Sequence, residues 1–151
     1  MNSSKLKTMQ IMHIAFCIAV FNFALVAFFL VKDSIHLNLR LEQPTPLFPI
    51  FPIIAVLAVF IGSFLFKKQL NGVTDIPSAD DKIAKYQTAF LIRSAILEGA
   101  ALMNTVAFLM TSNSVFLLAA AFPFLFLLIS RPAKQQIIDE LNLTYPDTEK
   151  L

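Results

Sequence analysis

Residues 9–31 read MQIMHIAFCIAVFNFALVAFFLV and contain no Asp, Glu, Lys or Arg. A helix of these 23 residues is about 34 Å long, enough to cross a hydrocarbon core of about 30 Å. An uncharged stretch of this length is too long for a core helix of a small soluble domain. The stretch therefore predicts a membrane-spanning helix, and it decides the fold class of the whole chain.

Three further apolar stretches follow, at 48–66, 87–110 and 114–130. The 151-residue chain is 57% apolar and 15% charged, more apolar surface than a soluble domain of this size can bury. The pieces between the stretches are too short to form a core, which excludes a separate soluble catalytic domain. We expect an all-α polytopic membrane protein with a single four-helix transmembrane bundle over 1–151.

Basic residues are distributed unevenly between the two sides of this bundle. Nine Lys and Arg residues flank the spans on the side of both termini, namely Lys5, Lys7, Lys67, Lys68, Lys82, Lys85, Arg131, Lys134 and Lys150. The opposite side has only Lys32 and Arg40. Because loops rich in Lys and Arg stay in the cytoplasm, we expect both termini to be cytoplasmic in a bacterial inner (plasma) membrane.

Two segments are expected to extend into the cytoplasm. Ser78 and Asp81 have the spacing of a helix N-terminus, so the third helix begins before its apolar stretch and projects from the bilayer. The cytoplasmic tail 131–151 contains an amphipathic pattern over 133–141, which predicts a short helix. Within the fourth span, Pro123 is expected to produce a kink.

The first loop has a different periodicity from the spans. Ile35, Leu37, Leu39 and Leu41 alternate with polar residues, which is the two-residue repeat of an extended strand. One interpretation is a segment at the bilayer surface with its apolar side chains in lipid. The other is a partner-docking loop, an edge strand that another protein completes.

Polar residues at membrane depth are concentrated on helices one and three. Such residues are costly in hydrocarbon, so each needs a partner. The rise per residue places His13 and Glu98 at similar depth near the cytoplasmic side, and Asn22 and Asn104 near the outer side. We predict that these two polar pairs join helices one and three, with Thr105 as a further helix–helix contact.

Glu98 is the candidate intramembrane polar or proton site, with His13 and Ser94 beside it. A carboxyl group at this depth either carries a proton or cation or serves as a structural hydrogen-bonding group, and both interpretations stay open. We expect no second His or Cys near His13 on its face of the helix, and Cys17 is the only cysteine, so no metal or cofactor is expected. Arg93 lies near the interface, where it contacts a lipid phosphate or marks the cytoplasmic side.

The chain resembles an uncharacterised family of small bacterial four-span membrane proteins. The resemblance rests on QIMH at 10–13, on Tyr86 followed by IRSAILEGA at 92–100, and on Arg131-Pro132. It implies the four-span fold and transfers no activity. In size and span count the chain is also similar to small multidrug exporters and double-hairpin rotor proteolipids, but Glu98 in the third span matches neither pattern.

The remaining features narrow the function classes. The chain has only three glycines, so we expect no glycine-rich phosphate-binding loop. It has no run of basic residues, so we expect no nucleic-acid partner. We see no nucleophile and base at a catalytic spacing, so we expect no enzyme. We expect a non-enzymatic accessory or structural subunit of a larger inner-membrane complex, with membrane lipids and other subunits, or a second copy of itself, as partners. The alternative is a small homo-oligomeric proton-coupled transporter that uses Glu98.

Overall fold

A computed structural model describes residues 4–40 and 48–151. Within these ranges the chain is helical and forms no β-strand. The five α-helices are α1 (Ser4–Val31), α2 (Ile50–Leu70), α3 (Ala79–Thr111), α4 (Ser114–Ile129) and α5 (Lys134–Leu141). Short 3-10 turns lie at Lys32–Ser34, Val73–Asp75 and Asp147–Lys150.

Three of the helices, α1, α2 and α3, are each long and apolar enough to cross a membrane. Helices α4 and α5 pass the same test only as a pair, which is bent by 78°. The prediction of an all-helical chain with several apolar helices of membrane length is confirmed. These helices fit a membrane protein with three spans, or four if the bent pair counts as one.

Helix α3 is the centre of the bundle. Helices α1, α2 and α4 all pack against α3. Helices α1 and α2 make their main contacts with α3 and not with each other. The buried side of α2 has the small residues Ala55, Ala58 and Gly62, which let the backbones approach closely. A Cβ atom added to Gly62 would lie 3.5 Å from the Cγ atom of Arg93 on α3.

The helix ends follow local rules that the sequence displays. The Ser78 hydroxyl accepts a hydrogen bond from the Asp81 amide, so the predicted start of α3 is confirmed. Asn113 caps α4 in the same way by accepting from the Val115 amide. Pro123 is buried inside α4, which continues through it as one helix, while the sharp bend lies between α4 and α5.

The largest apolar core lies at the end of the bundle that carries both ends of the chain. This termini-side cluster combines residues of all the packed elements there, among them Met9, Phe66, Ile83, Tyr86, Phe90, Ile137, Leu141 and Leu151. The predicted amphipathic tail helix is confirmed as α5, which buries Ile137 and Leu141. The tail beyond α5 packs on its own chain, with Leu143 and Leu151 buried in the cluster.

At the opposite end, the alternating segment of the first loop packs on the turn between α3 and α4. The amide of His36 donates to the Ser112 carbonyl, and the Ser114 amide donates to the His36 carbonyl. The Asn113 side chain accepts from the Asn38 amide and donates to the Asn38 carbonyl. The segment is extended at His36, as predicted, but its own chain rather than a partner supplies these hydrogen bonds.

Candidate functional site

His13 on α1 binds the C-terminal end of α4. Its Nε2 atom lies 2.8 Å from the Leu127 carbonyl oxygen, and the imidazole is buried. The last carbonyl groups of an α-helix lack intrahelical donors and carry partial negative charge, so an N–H group there is stabilising. His13 therefore donates through Nε2 and acts as a cap for α4.

Gln10 makes a second contact from α1 to the same region. Its amide Nε2 donates to the Pro132 carbonyl oxygen over 3.2 Å, in the segment between α4 and α5. Gln10 and His13 together fix the point at which the chain bends by 78°. The QIMH and Arg131-Pro132 sequences, noted separately along the chain, are thus in direct contact in the fold.

The predicted hydrogen-bonded pair of His13 and Glu98 is not formed, because the imidazole is directed at α4. Glu98 is half-buried on α3 and makes no hydrogen bond or ion pair with the described residues. Its carboxylate lies close enough to the Cys17 thiol for an electrostatic interaction. Ser94 is fully buried, and its hydroxyl has no hydrogen-bond partner in the part of the chain that the structure describes. His13, Ser94 and Glu98 therefore do not form one hydrogen-bonded site.

Asn104 joins helices as predicted, but to a different partner. Its side-chain Nδ2 donates to the Phe51 carbonyl of α2 over 2.9 Å and to the Ala100 carbonyl over 3.0 Å. Thr105, also fully buried, donates its hydroxyl to the Ala101 carbonyl of its own helix. Both side chains thus face the bundle interior, and Asn104 connects α3 to α2.

Asn22 was predicted to pair with Asn104, and this prediction is wrong. Nine residues separate Asn22 from the buried His13, which places the two about 180° apart around α1. Asn22 is exposed on the outer face of α1 and has no hydrogen-bond partner among the described residues. The prediction matched the depths of the two asparagines along their helices. It did not account for the angular position of Asn22 around α1, which places this side chain on the outer face.

Arg93 lies where α2, α3 and α5 meet. Its guanidinium carbon is 4.1 Å from the centroid of the Phe66 ring, a cation–π contact. It lines an open cavity of about 760 Å³ together with Lys67 and Lys68 of α2 and Glu140 of α5. The basic residues were visible in the sequence, but Glu140 was missed because its helix folds back by 78°.

A thiol beside His13 was also missed. The Cys17 Sγ atom lies 3.9 Å from both ring nitrogens, and the i,i+4 spacing was the available signal. Both side chains line a groove of about 620 Å³ between α1 and α4. Across residues 4–40 and 48–151, no three His, Cys, Asp or Glu side chains are grouped so that they could hold a metal ion.

The predicted docking residues of the first loop differ in exposure. Leu37 and Leu39 are 66% and 80% exposed, whereas Ile35 packs on the apolar cluster at this end of the bundle. Leu41 lies outside the described residues.

The chain matches no family model, no curated protein and no solved structure at a significant level. The resemblance to small bacterial four-span proteins therefore stays a prediction.

Proposed function

We propose that this chain is a non-enzymatic, four-span protein of a bacterial inner membrane, with both termini in the cytoplasm, that acts as an accessory or structural subunit of a larger membrane complex. The observation that carries the proposal is Asn22, a polar side chain that is exposed on α1 within its apolar stretch, in the half that ends at Val31. The excess of basic residues on the side of the termini supports the topology.

Asn22 lies well inside the apolar stretch of α1. It is about 20 Å from Met9 and about 14 Å from Val31 along the helix, which places it in the outer half of the proposed span and more than about 10 Å from its outer end. An amide group exposed to acyl chains would leave its donors and acceptor unsatisfied, at a cost of several kcal/mol. A neighbouring membrane helix that offers a hydrogen bond removes this cost.

Small residues beside Asn22 make room for such a helix. Ala15 and Ala19 are exposed on α1, and Ala95 and Gly99 form a second outward pair on α3. A Cβ atom added to Gly99 would meet nothing within 4 Å, so this face of α3 is open. Small residues spaced four apart are typical of close helix–helix packing in membranes.

The mass of the protein after extraction in a mild detergent from its source membrane tests the proposal. We expect a complex that contains other chains, and we expect Asn22→Leu to release this chain without loss of helix content. Phe28→Leu is the matched control, because Phe28 is exposed on the same helix and turned about 120° from Asn22. A wild-type chain that is extracted alone, and that no cross-linker joins to another protein in the intact membrane, would contradict the subunit role.

The second candidate, a small homo-oligomeric proton-coupled transporter, is favoured by Glu98. This half-buried carboxylate has no hydrogen-bond partner among the residues described, so no neighbouring donor holds it in the ionised form. Proton uptake into vesicles that contain the purified protein would be abolished by Glu98→Gln if the carboxylate carried the proton. Equal uptake by wild type and Glu98→Gln would remove this candidate.

A further inference from the structure

The cavity between α2, α3 and α5 combines charges of both signs with an apolar wall. Three cations, Lys67, Lys68 and Arg93, line it together with one carboxylate, Glu140. Phe64 contributes an exposed phenyl ring beside them. A volume of about 760 Å³ is in the range of small-molecule sites.

Two polar atoms in this cavity lack partners. The Nε atom of Arg93 and the Oε2 atom of Glu140 are both buried, and neither has a hydrogen-bond partner in the described ranges. The other Glu140 oxygen accepts from the Gln136 amide at 2.9 Å. Arg93 and Glu140 interact electrostatically, yet no ion pair within 4.0 Å joins them in the described part of the chain. A buried donor and a buried acceptor without partners are uncommon in folded proteins, and a bound group with both an acceptor and a donor would satisfy them.

Both side chains are held in place by their surroundings. The Phe66 ring supports the Arg93 guanidinium, and Gly62 lets α2 pass close to the Arg93 stem. Ile137 and Leu141 are fully buried, which fixes α5 and therefore Glu140. A charged site of fixed geometry loses little entropy when a ligand binds.

The cavity also lies at the height of lipid headgroups. Arg93 is about 26 Å from Met110 along α3, so it lies about 4 Å inside the proposed cytoplasmic boundary of a core of about 30 Å. Lys67 and Lys68, in the last turn of α2, follow the long apolar stretch of that helix that ends at Phe66. This is the level at which phosphate groups of the inner leaflet are found.

We propose that the cavity binds a phosphate group linked to a primary amine, as in the headgroup of phosphatidylethanolamine. The phosphate oxygens accept hydrogen bonds from Arg93 and from the two lysines, while the ammonium group donates to Glu140. An acyl chain of the same lipid lies along Phe64. This site goes beyond the proposed subunit role and does not require it, but it rests on the membrane topology of the proposed function.

Glu140 makes the site selective for the amine. A phosphatidylglycerol headgroup brings the same phosphate but no cation, so the Glu140 carboxylate stays unpaired next to added negative charge. Without Glu140 the three cations would bind either lipid by charge alone. Glu140 therefore predicts that the cavity binds phosphatidylethanolamine more tightly than phosphatidylglycerol.

The test uses the full chain in lipid discs with equal amounts of phosphatidylethanolamine and phosphatidylglycerol, followed by release into mild detergent and native mass spectrometry. We expect the wild type to retain phosphatidylethanolamine about tenfold over phosphatidylglycerol, the size of one charge-assisted hydrogen bond. Glu140→Gln should lose this preference and keep bound lipid, and Arg93→Gln should lose both lipids. The controls are Glu149→Gln and Lys134→Gln, exposed residues outside the cavity that should behave as wild type.

Two further experiments complete the test. The first distinguishes a lipid headgroup from a soluble phosphate compound, and the second replaces Arg93→Gln if that variant does not fold. Free phosphoethanolamine or inorganic phosphate that displaces the retained lipid at millimolar concentration would show a soluble ligand and overturn the lipid assignment. If Arg93→Gln does not fold, the double variant Lys67→Gln, Lys68→Gln at exposed positions must show reduced retention of lipid. Equal retention of both lipids by the wild type, or an unchanged preference in Glu140→Gln, would overturn the proposal.

Discussion

His13 and Gln10 stabilise the region where α4 ends and the chain turns toward α5. The Ser130 amide already donates to the Phe126 and Leu127 carbonyls at the end of α4. The His13 imidazole supplies a further donor to Leu127, and the Gln10 amide donates to the Pro132 carbonyl in the segment after the helix. Two polar side chains of α1 therefore reinforce the end of α4 and the bend that follows it.

Replacing His13 by Leu removes the hydrogen bond to Leu127 and leaves a buried carbonyl with fewer donors. We expect the free energy of unfolding in detergent to fall by about 1–2 kcal/mol. Steric trapping or unfolding in mixed detergents measures the change. His36→Leu is the control, because His36 is exposed and its side chain bonds only within its own loop. An equal effect of both substitutions would contradict the capping role of His13.

The side chain of Asn113, which no sequence pattern singled out, makes three hydrogen bonds. Its Oδ1 atom accepts from the Asn38 and Val115 amides, and its Nδ2 atom donates to the Asn38 carbonyl at 2.7 Å. Asn113→Ala removes the cap of α4 and releases the first loop. We expect a loss of about 1–3 kcal/mol in unfolding free energy. Hydrogen exchange should show the loop near Asn38 opening faster, and unchanged exchange there would contradict this account.

At the scale of elements, the two glycines of the apolar helices have opposite surroundings. Gly62 lies inside the α2–α3 contact, whereas Gly99 faces away from the bundle. The sequence contained both as members of small-residue pairs and did not distinguish them. The folded helices distinguish them, because Gly99 is half-buried with open space where a Cβ atom would lie.

This difference gives a paired prediction. Gly62→Leu must separate α2 from α3, and we expect a loss of about 1–3 kcal/mol in unfolding free energy. Gly99→Leu meets no neighbouring atom within 4 Å, so the free energy of unfolding should change by less than about 0.5 kcal/mol. In the proposed complex, however, Gly99→Leu should prevent assembly. The native mass after mild extraction compares the two, and an intact complex with Gly99→Leu would exclude this face as the interface.

At the scale of the whole molecule, ion pairs join the N-terminal part of α1, the start of α3 and the C-terminal tail. Asp80 at the start of α3 binds Lys5 of α1 at 2.6 Å and Lys150 of the tail at 3.2 Å. The hydrogen bond to Asp147, and then the one to Asp80, raise the pKa of Lys150. A raised pKa means that this contribution to tail attachment is complete at neutral pH and is lost as the pH rises through the pKa of the folded protein.

Asp80→Asn should therefore loosen the tail without unfolding the bundle. We expect faster amide exchange at 147–150, while exchange in α2 and α4 stays the same. High salt should reproduce the effect in the wild type, because exposed charges are screened. Asp75→Asn is the control, since Asp75 is exposed and belongs to none of these ion pairs. An unchanged tail in Asp80→Asn would show that the buried Leu143 and Leu151 side chains and the hydrogen bond from the Leu6 amide to the Leu151 carbonyl hold it without the ion pairs.

Much of the fold could be predicted because its signals are local. Uninterrupted apolar length indicates the helices, and Ser78 marks the start of α3 through its own side chain. The site was less accessible for a physical reason. His13 binds a backbone carbonyl, and every residue has one, so no side-chain pattern identifies Leu127 as its partner. Glu140 reaches Arg93 only through a bend whose angle the sequence does not encode locally.

The unequal lengths of the helices have a consequence for the surrounding lipid. Helix α4 has 16 residues, or about 24 Å, while α1 has 28 residues, or about 42 Å. In the four-span topology, one flank of the protein is thus shorter than a typical hydrocarbon thickness and the other is taller. The annular lipids beside α4 must compress, which costs fractions of a kcal/mol per Å of mismatch. In that topology we expect the bilayer to be thinner on the α4 flank than on the α1 flank, and a second short helix beside α4 would share the compressed zone.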